Sequence, residues 1–362
     1  MRAIGWDHPR CAEPMLAASA AWHELTGVTV AWEFRPLAAF NDQPLHELAP
    51  DYDLLVIDHP AIAEAVEHGA LRPLEELLPA ERVLRLTQEA VGPSGASYRW
   101  DGATWALAVD AACHVSARRP RLLEQLGEEE PSTWPQVLDL ARRHPGLVAL
   151  PLLPADALCA LLSIAATHGR APTLADPAPQ AAIELLAELT PLLHPASWSC
   201  APPRLLARMA GGEPIAYVPL TFGYSGLAGD HLRYGDVPAG PGGLRMPILG
   251  GAGLAVSATS RDAGLAAGFA AWLCDEPVQR ELVLGHGGQP AHAAVWGDPA
   301  RPGPAAGFLR DTRGSMVAAF ARPAHPAWPA FHHDAGVALA GALAAGEPPA
   351  AVARRLRTLA QP

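Results

Sequence analysis

The sequence predicts a two-lobed α/β protein whose first lobe opens on a parallel, doubly wound sheet. Three observations predict it. Over residues 1–75, strand-like and helix-like segments alternate β-α-β-α-β-α, an order that right-handed crossovers fold into a parallel sheet. The 362 residues exceed what one hydrophobic core ordinarily organises, so two lobes are expected. Half the residues are hydrophobic and 17% are charged, the balance of a compact chain rather than a disordered one.

Each element has a local reason. Arg2–Trp6 is a short apolar strand. Residues 14–25 set Met15, Leu16, Ala18, Trp22 and Leu25 at helical spacing, and Thr26-Gly27 closes that helix. Residues 28–34 alternate Val28, Val30, Trp32 and Phe34, the period of a strand. A short helix is expected at 41–48, a buried strand at 52–57, and a helix at 60–68 that Pro60 opens and Gly69 ends. Residues 99–109 read as a hairpin turning at Asp101-Gly102. Helices are expected at 118–126, Trp134–Arg143, 156–168 and 179–193, then a strand at 215–218. The glycine- and proline-rich stretch 235–253 reads as loop with short strands. A strand at 254–257 and helices at 263–275, 278–284, 315–321, Trp328–Ala345 and Pro349–Leu359 complete the chain. No repeat occurs at solenoid periods.

Composition excludes several chemistries. All 26 basic side chains are arginine. Without lysine there is no Schiff base, no pyridoxal-phosphate anchor and no phosphate-loop lysine. A net charge of −11 with no basic run argues against nucleic-acid binding. Cys11, Cys113, Cys159, Cys200 and Cys274 show no C-x-x-C spacing and are odd in number. They read as small buried hydrophobes rather than as disulfides or a zinc knuckle. The most apolar stretch, 147–166, is interrupted by Pro151, Pro154 and Asp156, so no membrane insertion is expected. The first residues read as a strand rather than as a signal peptide. A cytoplasmic location is therefore expected, or an extracytoplasmic one if the chain is a processed form. A monomer with no cofactor and no metal site is expected.

Generic catalytic motifs are incomplete. His23-Glu24 and His46-Glu47 begin H-E-x-x-H, but the second histidine is missing both times. Gly223-Tyr224-Ser225-Gly226 begins a nucleophile elbow, but Leu227 replaces its last glycine. The glycines at 250, 251 and 253 do not form G-x-G-x-x-G.

Five blocks in order carry a whole-chain resemblance. They are AASAAWHELTGVTVAWEF (17–34), YDLLVIDHPAIAEAVEHGALRPLEELL (52–78), residues 103–142 with Pro131, Thr133 and Trp134 as P-x-T-W, residues 250–296 beginning Gly250-Gly251 and running to Gln289, and the tail 321–356. With them the chain resembles the family 1 extracellular solute-binding proteins, the carbohydrate-type substrate-binding subunits of ABC transporters. The resemblance implies a periplasmic-binding-protein-like fold of type II: α/β, two lobes, each with a doubly wound mixed sheet, and a ligand cleft between them. Lobe 1 is expected at 1–108 plus 254–305 and lobe 2 at 109–253 plus 306–362, with hinges near 108–111 and 248–254. The implied function is capture of a small polar solute, carbohydrate-like or a small acid, with hinge closure, and with an ABC permease as partner if the chain is exported.

Ligands of open α/β sheets sit beyond the carboxyl ends of strands. The first strand runs into Trp6-Asp7-His8-Pro9-Arg10 and the third into Asp58-His59-Pro60. The 2-1-3 strand order that the resemblance implies would bring the two Asp-His-Pro sequences side by side. Three readings stand: ordinary capping of the following helices, with Asp58 as an N-cap; hydrogen bonding to a polar ligand; or acid/base chemistry by Asp7, His8, Asp58 and His59 in an enzyme built on the same fold. A metal site there is disfavoured, because adjacent strand residues point to opposite faces. Arg10 is a candidate anion contact. Trp6, Tyr217, Phe222 and Tyr224 are candidate aromatic contacts, with core packing as the plain alternative. Asp110 and His114, where the chain crosses between lobes, and Gly250, Gly251 and Gln289, on the return, are ligand-contact positions implied by the resemblance.

Overall fold

The computed structural model describes residues 1–298 and 303–360. The chain forms two compact units. Unit 1 comprises Met1–Ala112, Gly250–Ala306 and Ala324–Pro329; unit 2 comprises Cys113–Leu249, Gly307–Pro323 and Ala330–Pro362. The expected boundaries at 108/109 and 253/254 thus compare with crossings at Ala112–Cys113 and Leu249–Gly250, and the short return of Ala324–Pro329 to unit 1 has no counterpart in the expectation.

Unit 1 begins with β1 (Arg2–Trp6), α1 (Pro9–Thr26), β2 (Ala31–Arg35), α2 (Leu37–Asp42), α3 (Leu45–Leu48), β3 (Leu54–Ile57), α4 (Ile62–Glu67) and α5 (Ala80–Glu89). β1 lies between β2 and β3 and is parallel to both. α1 is longer than 14–25 because Pro9 stands in its first turn, where a missing N–H costs nothing, and Pro14 is carried inside it. Gly27 closes α1 at φ +74, the left-handed cap expected of Thr26-Gly27. The buried side chains Met15, Ala18 and Trp22 of α1 meet Leu54 and Val56 of β3 in one core.

The Asp101-Gly102 turn is as expected: both residues have positive φ, +47 and +79, and the hairpin β4 (Arg99–Trp100) and β5 (Ala103–Thr104) closes on it. The hairpin ends there. β6 (Ala106–Arg118) is a separate 13-residue strand, buried at every position but its last. It replaces both the expected hairpin arm to 109 and the start of the expected helix at 118. The sequence ALAVDAACHVSAR has no period of two because both faces of the strand are covered.

Unit 2 takes up the second part of β6 and continues with α6 (Pro120–Leu126), α7 (Trp134–Arg143), α8 (Pro154–Ala166), α9 (Gln180–Leu189), α10 (Pro202–Ala210), β7 (Tyr217–Phe222) and β8 (Arg233–Gly235). β6 pairs antiparallel with both β7 and β8, and Val148 adds a parallel bridge to Tyr217, so this sheet is mixed. α7 starts at Thr133 with a complete capping box to Gln136. β9 (Leu249–Val256) returns the chain to unit 1, antiparallel to β3. It begins five residues earlier than the strand expected at 254–257, since pairing with β3 and β6 holds the weak β-formers Gly250, Gly251 and Gly253 extended. The remaining helices are α11 (Ala263–Leu273), α12 (Glu276–Val278), α13 (Ala293–Gly297), α14 (Pro304–Ala318), α15 (Trp328–Ala345) and α16 (Pro349–Leu359). Among the described residues no helix is long and apolar enough to cross a membrane. All five cysteines are buried as thiols rather than joined in disulfides.

Candidate functional site

The carboxyl-end edge of the unit 1 sheet gathers most of the singled-out residues. β1 and β3 pair Ala3 with Leu54 and Ile4 with Leu55. β1 ends at Trp6 and β3 at Ile57, so the two Asp-His-Pro turns leave neighbouring parallel strands at the same edge. Antiparallel pairing of Ile57 with Gly253 brings the start of β9, with Gly250 and Gly251, to the same edge.

The members of the two turns differ in role. Asp7 is exposed, and its backbone N–H donates to Arg35 O at 2.7 Å. His8 is the N-cap of α1: its Nδ1 accepts from the Arg10 backbone N–H at 3.1 Å. Burial, then the Arg10 charge, holds the His8 pKa below its usual value, so the ring stays neutral. Asp58 occupies the cap position before the turn at 59–61 but makes no side-chain cap bond. Instead its Oδ1 lies 3.2 Å from His59 Nδ1. His59 is 1% exposed and stands edge-on to Tyr98 at 6.3 Å.

Arg10 requires a correction. It is buried, and its guanidinium grips Asp110 through two parallel bonds, Nε to Oδ2 at 2.9 Å and Nη2 to Oδ1. A fork already filled by a carboxylate is a structural ion pair rather than an open anion contact, and Asp110 is its counterpart. Gly251 completes this corner. Its φ is +95, and a Cβ there would lie 2.4 Å from Asp110 O. Gln289 is fully buried and donates from Nε2 to Ala111 O at 3.1 Å, fastening the following turn to β6. Trp6 is likewise corrected to core packing: it is buried in the unit 1 core, with Phe40 at 5.1 Å between ring centroids.

Unit 2 holds the remaining candidates. His114 is buried, with Nδ1 2.8 Å from Ser163 Oγ and its ring 4.5 Å from Phe222. Burial and the Arg322 charge push its pKa down to about 3. Tyr217 is corrected to a core residue: it is fully buried, and its hydroxyl donates to Pro131 O at 3.1 Å. Tyr224 is buried, with its carbonyl accepting from the Tyr234 hydroxyl at 2.9 Å, whereas Phe222, at the end of β7, keeps some accessible surface.

One group was singled out by no motif. Asp156, in the first turn of α8, has neither a hydrogen-bond nor an ion-pair partner among the described residues, yet part of its surface stays open. Desolvation alone raises its pKa to about 7. A carboxylate in this state is poised to accept from a ligand hydroxyl. Its only sequence signal was negative, as a charge interrupting the most apolar stretch of the chain.

Comparison with known proteins agrees with the fold. The family described as bacterial extracellular solute-binding protein matches residues 20–297. Among solved structures, maltose-bound MalE3 of T. maritima is similar at TM-score 0.85 and 17% identity, covering 99% of this chain and 98% of that one. An ABC transporter solute-binding protein of Thermotoga lettingae bound with α-D-tagatose gives 0.81 and 16%, covering 99% of each chain. One from Agrobacterium vitis with bound D-mannitol gives 0.80 and 16%, covering 99% and 97%. A search of curated proteins by sequence gives no match. The family match spans well over half of the chain and the structural likeness spans nearly all of it, so this chain belongs to the bacterial extracellular solute-binding proteins.

Proposed function

We propose that the chain reversibly captures a small uncharged polyhydroxylated solute, a sugar or polyol, for an ABC permease. The carrying observation is that the two parallel neighbours β1 and β3 run, at one edge of the sheet, into Asp7-His8 and Asp58-His59, with the Asp7 side chain exposed and Asp58 partly so. Carboxylates accept hydrogen bonds from the neighbouring hydroxyls of such a solute. That structural neighbours carry maltose, tagatose and mannitol supports this solute class.

The test is isothermal calorimetry with maltose, D-tagatose, D-mannitol and ribitol, alongside native mass spectrometry of the purified protein. A sugar or polyol should bind intact, and Asp7→Asn and Asp58→Asn should each weaken it about 10-fold or more, the cost of a lost hydrogen bond to a charged group. No binding by any of these solutes, or unchanged binding by both variants, would overturn the reading.

The Asp58–His59 contact favours one second reading, an enzyme using this pair in acid/base chemistry. It requires that a bound solute be converted and that His59→Gln stop conversion while binding persists. Recovery of the unaltered solute after prolonged incubation excludes it.

A further inference from the structure

Unit 1 assembles a second polar cluster from other residues. α3 supplies His46, α4 supplies Glu64, and His68 caps the end of α4. Glu64 and His68 are four residues apart and share a helix face. One donor atom from each of the three side chains lies within 4.8 Å of the others. The two imidazole rings are nearly parallel, with centroids 4.3 Å apart.

Two further observations orient the cluster toward a ligand. His68 Nδ1 lies 2.9 Å from the Glu64 carbonyl oxygen, so that nitrogen donates and Nε2 keeps its lone pair. A ring N–H held by a backbone carbonyl is the usual support behind a metal-bound histidine. His46 Nδ1 is buried and has no hydrogen-bond partner among the described residues. Buried ring nitrogens are ordinarily satisfied, so this one points to a partner outside the chain.

We propose that His46, Glu64 and His68 form a binding site for a divalent transition-metal ion of the zinc class. Two imidazoles and a carboxylate suit such an ion, whereas calcium and magnesium prefer all-oxygen sets. Bond lengths of about 2.0–2.2 Å place donors in a tetrahedron about 3.3–3.6 Å apart, so the exposed His68 and the half-buried Glu64 need only rotate inward. The bound ion fastens the connection between β2 and β3 to α4. His46-Glu47, half of an H-E-x-x-H motif in sequence, thus finds its second histidine in His68 across the fold.

The test uses full-length protein without a histidine tag, stripped of metal by a chelator. Calorimetry with Zn²⁺ at pH 7.5 should show one site. Co²⁺ should give the visible absorption of a nitrogen- and oxygen-coordinated ion. His46→Gln and His68→Gln should each weaken Zn²⁺ at least 10-fold and remove the Co²⁺ spectrum, while His23→Gln, outside the cluster, should change neither. Millimolar Mg²⁺ should not compete. Absence of Zn²⁺ binding, or binding and spectra unchanged in both cluster variants, overturns the proposal. His68 is exposed, so its variant decides the question even if the His46 variant folds poorly.

Discussion

Arg10 and Asp110 are 100 residues apart in the chain and meet as a buried forked pair. Removing one partner leaves the other charge without its counterion, so Asp110→Ala should cost about 3–5 kcal/mol in urea unfolding. A loss under about 1 kcal/mol would show that the pair is not structural. His114 acts in the opposite sense. Its folded pKa of about 3 lies below the unfolded 6.5, so its neutral form carries no penalty above pH 6.5. The penalty grows as pH falls from 6.5 toward 3, because the unfolded chain takes up the proton and the folded one does not. At pH 5 the cost is about 2 kcal/mol, and His114→Gln should shrink the stability lost between pH 7.5 and 5 by that amount. Asp156 has its pKa raised from 3.8 to about 7, so its stability contribution is full below pH 3.8 and is lost as pH rises through 7. Asp156→Asn should therefore raise the melting temperature at pH 8 by a few degrees. A variant that melts no higher than the parent at pH 8 would contradict this cost of burial.

At the scale of elements, what was legible in the sequence is what local chemistry decides. The α1 cap at Thr26-Gly27, the Asp101-Gly102 turn and the three parallel strands of unit 1 all follow from short-range signals. β6 and the first half of β9 do not, because their residues are extended by partners far along the chain. The same holds for the site: the 2-1-3 strand order puts the strands that lead into Asp7 and Asp58 side by side as expected, whereas the Arg10–Asp110 pair and the His46–Glu64–His68 cluster depend on contacts that no spacing announces. Gly251 shows the tertiary constraint most sharply. Its φ of +95 and the 2.4 Å approach to Asp110 O leave no room for a side chain. Gly251→Ala should cost roughly 2 kcal/mol or more. Gly264→Ala, in α11 where nothing lies within 4 Å of the added methyl, should be neutral or stabilise by up to about 1 kcal/mol. Equal midpoints for the two variants in chemical denaturation would contradict this account of β9.

At the scale of the whole molecule, charge sets the last constraint. The chain carries −11 and has no lysine, so every side-chain counterion for an anionic solute must be an arginine. Arg10 is already held by Asp110, Arg35 at the end of β2 is buried, and the groups that edge leaves accessible are the carboxylates of Asp7 and Asp58 and the neutral His8. An acidic excess of this size opposes the approach of anions, and like charges brought close cost roughly 1 kcal/mol or more where solvent is partly excluded. A neutral sugar or polyol should therefore bind at least about 10-fold more tightly than its phosphorylated counterpart at low salt. Because the opposing field is screened over about 8–10 Å near physiological ionic strength, added salt should narrow that ratio by improving the phosphorylated ligand and leaving the neutral one unchanged. Calorimetry of one neutral and phosphorylated pair at two salt concentrations measures both quantities. Preference for the phosphorylated member would require a cationic contact that this arrangement of Arg10 and Asp110 does not provide.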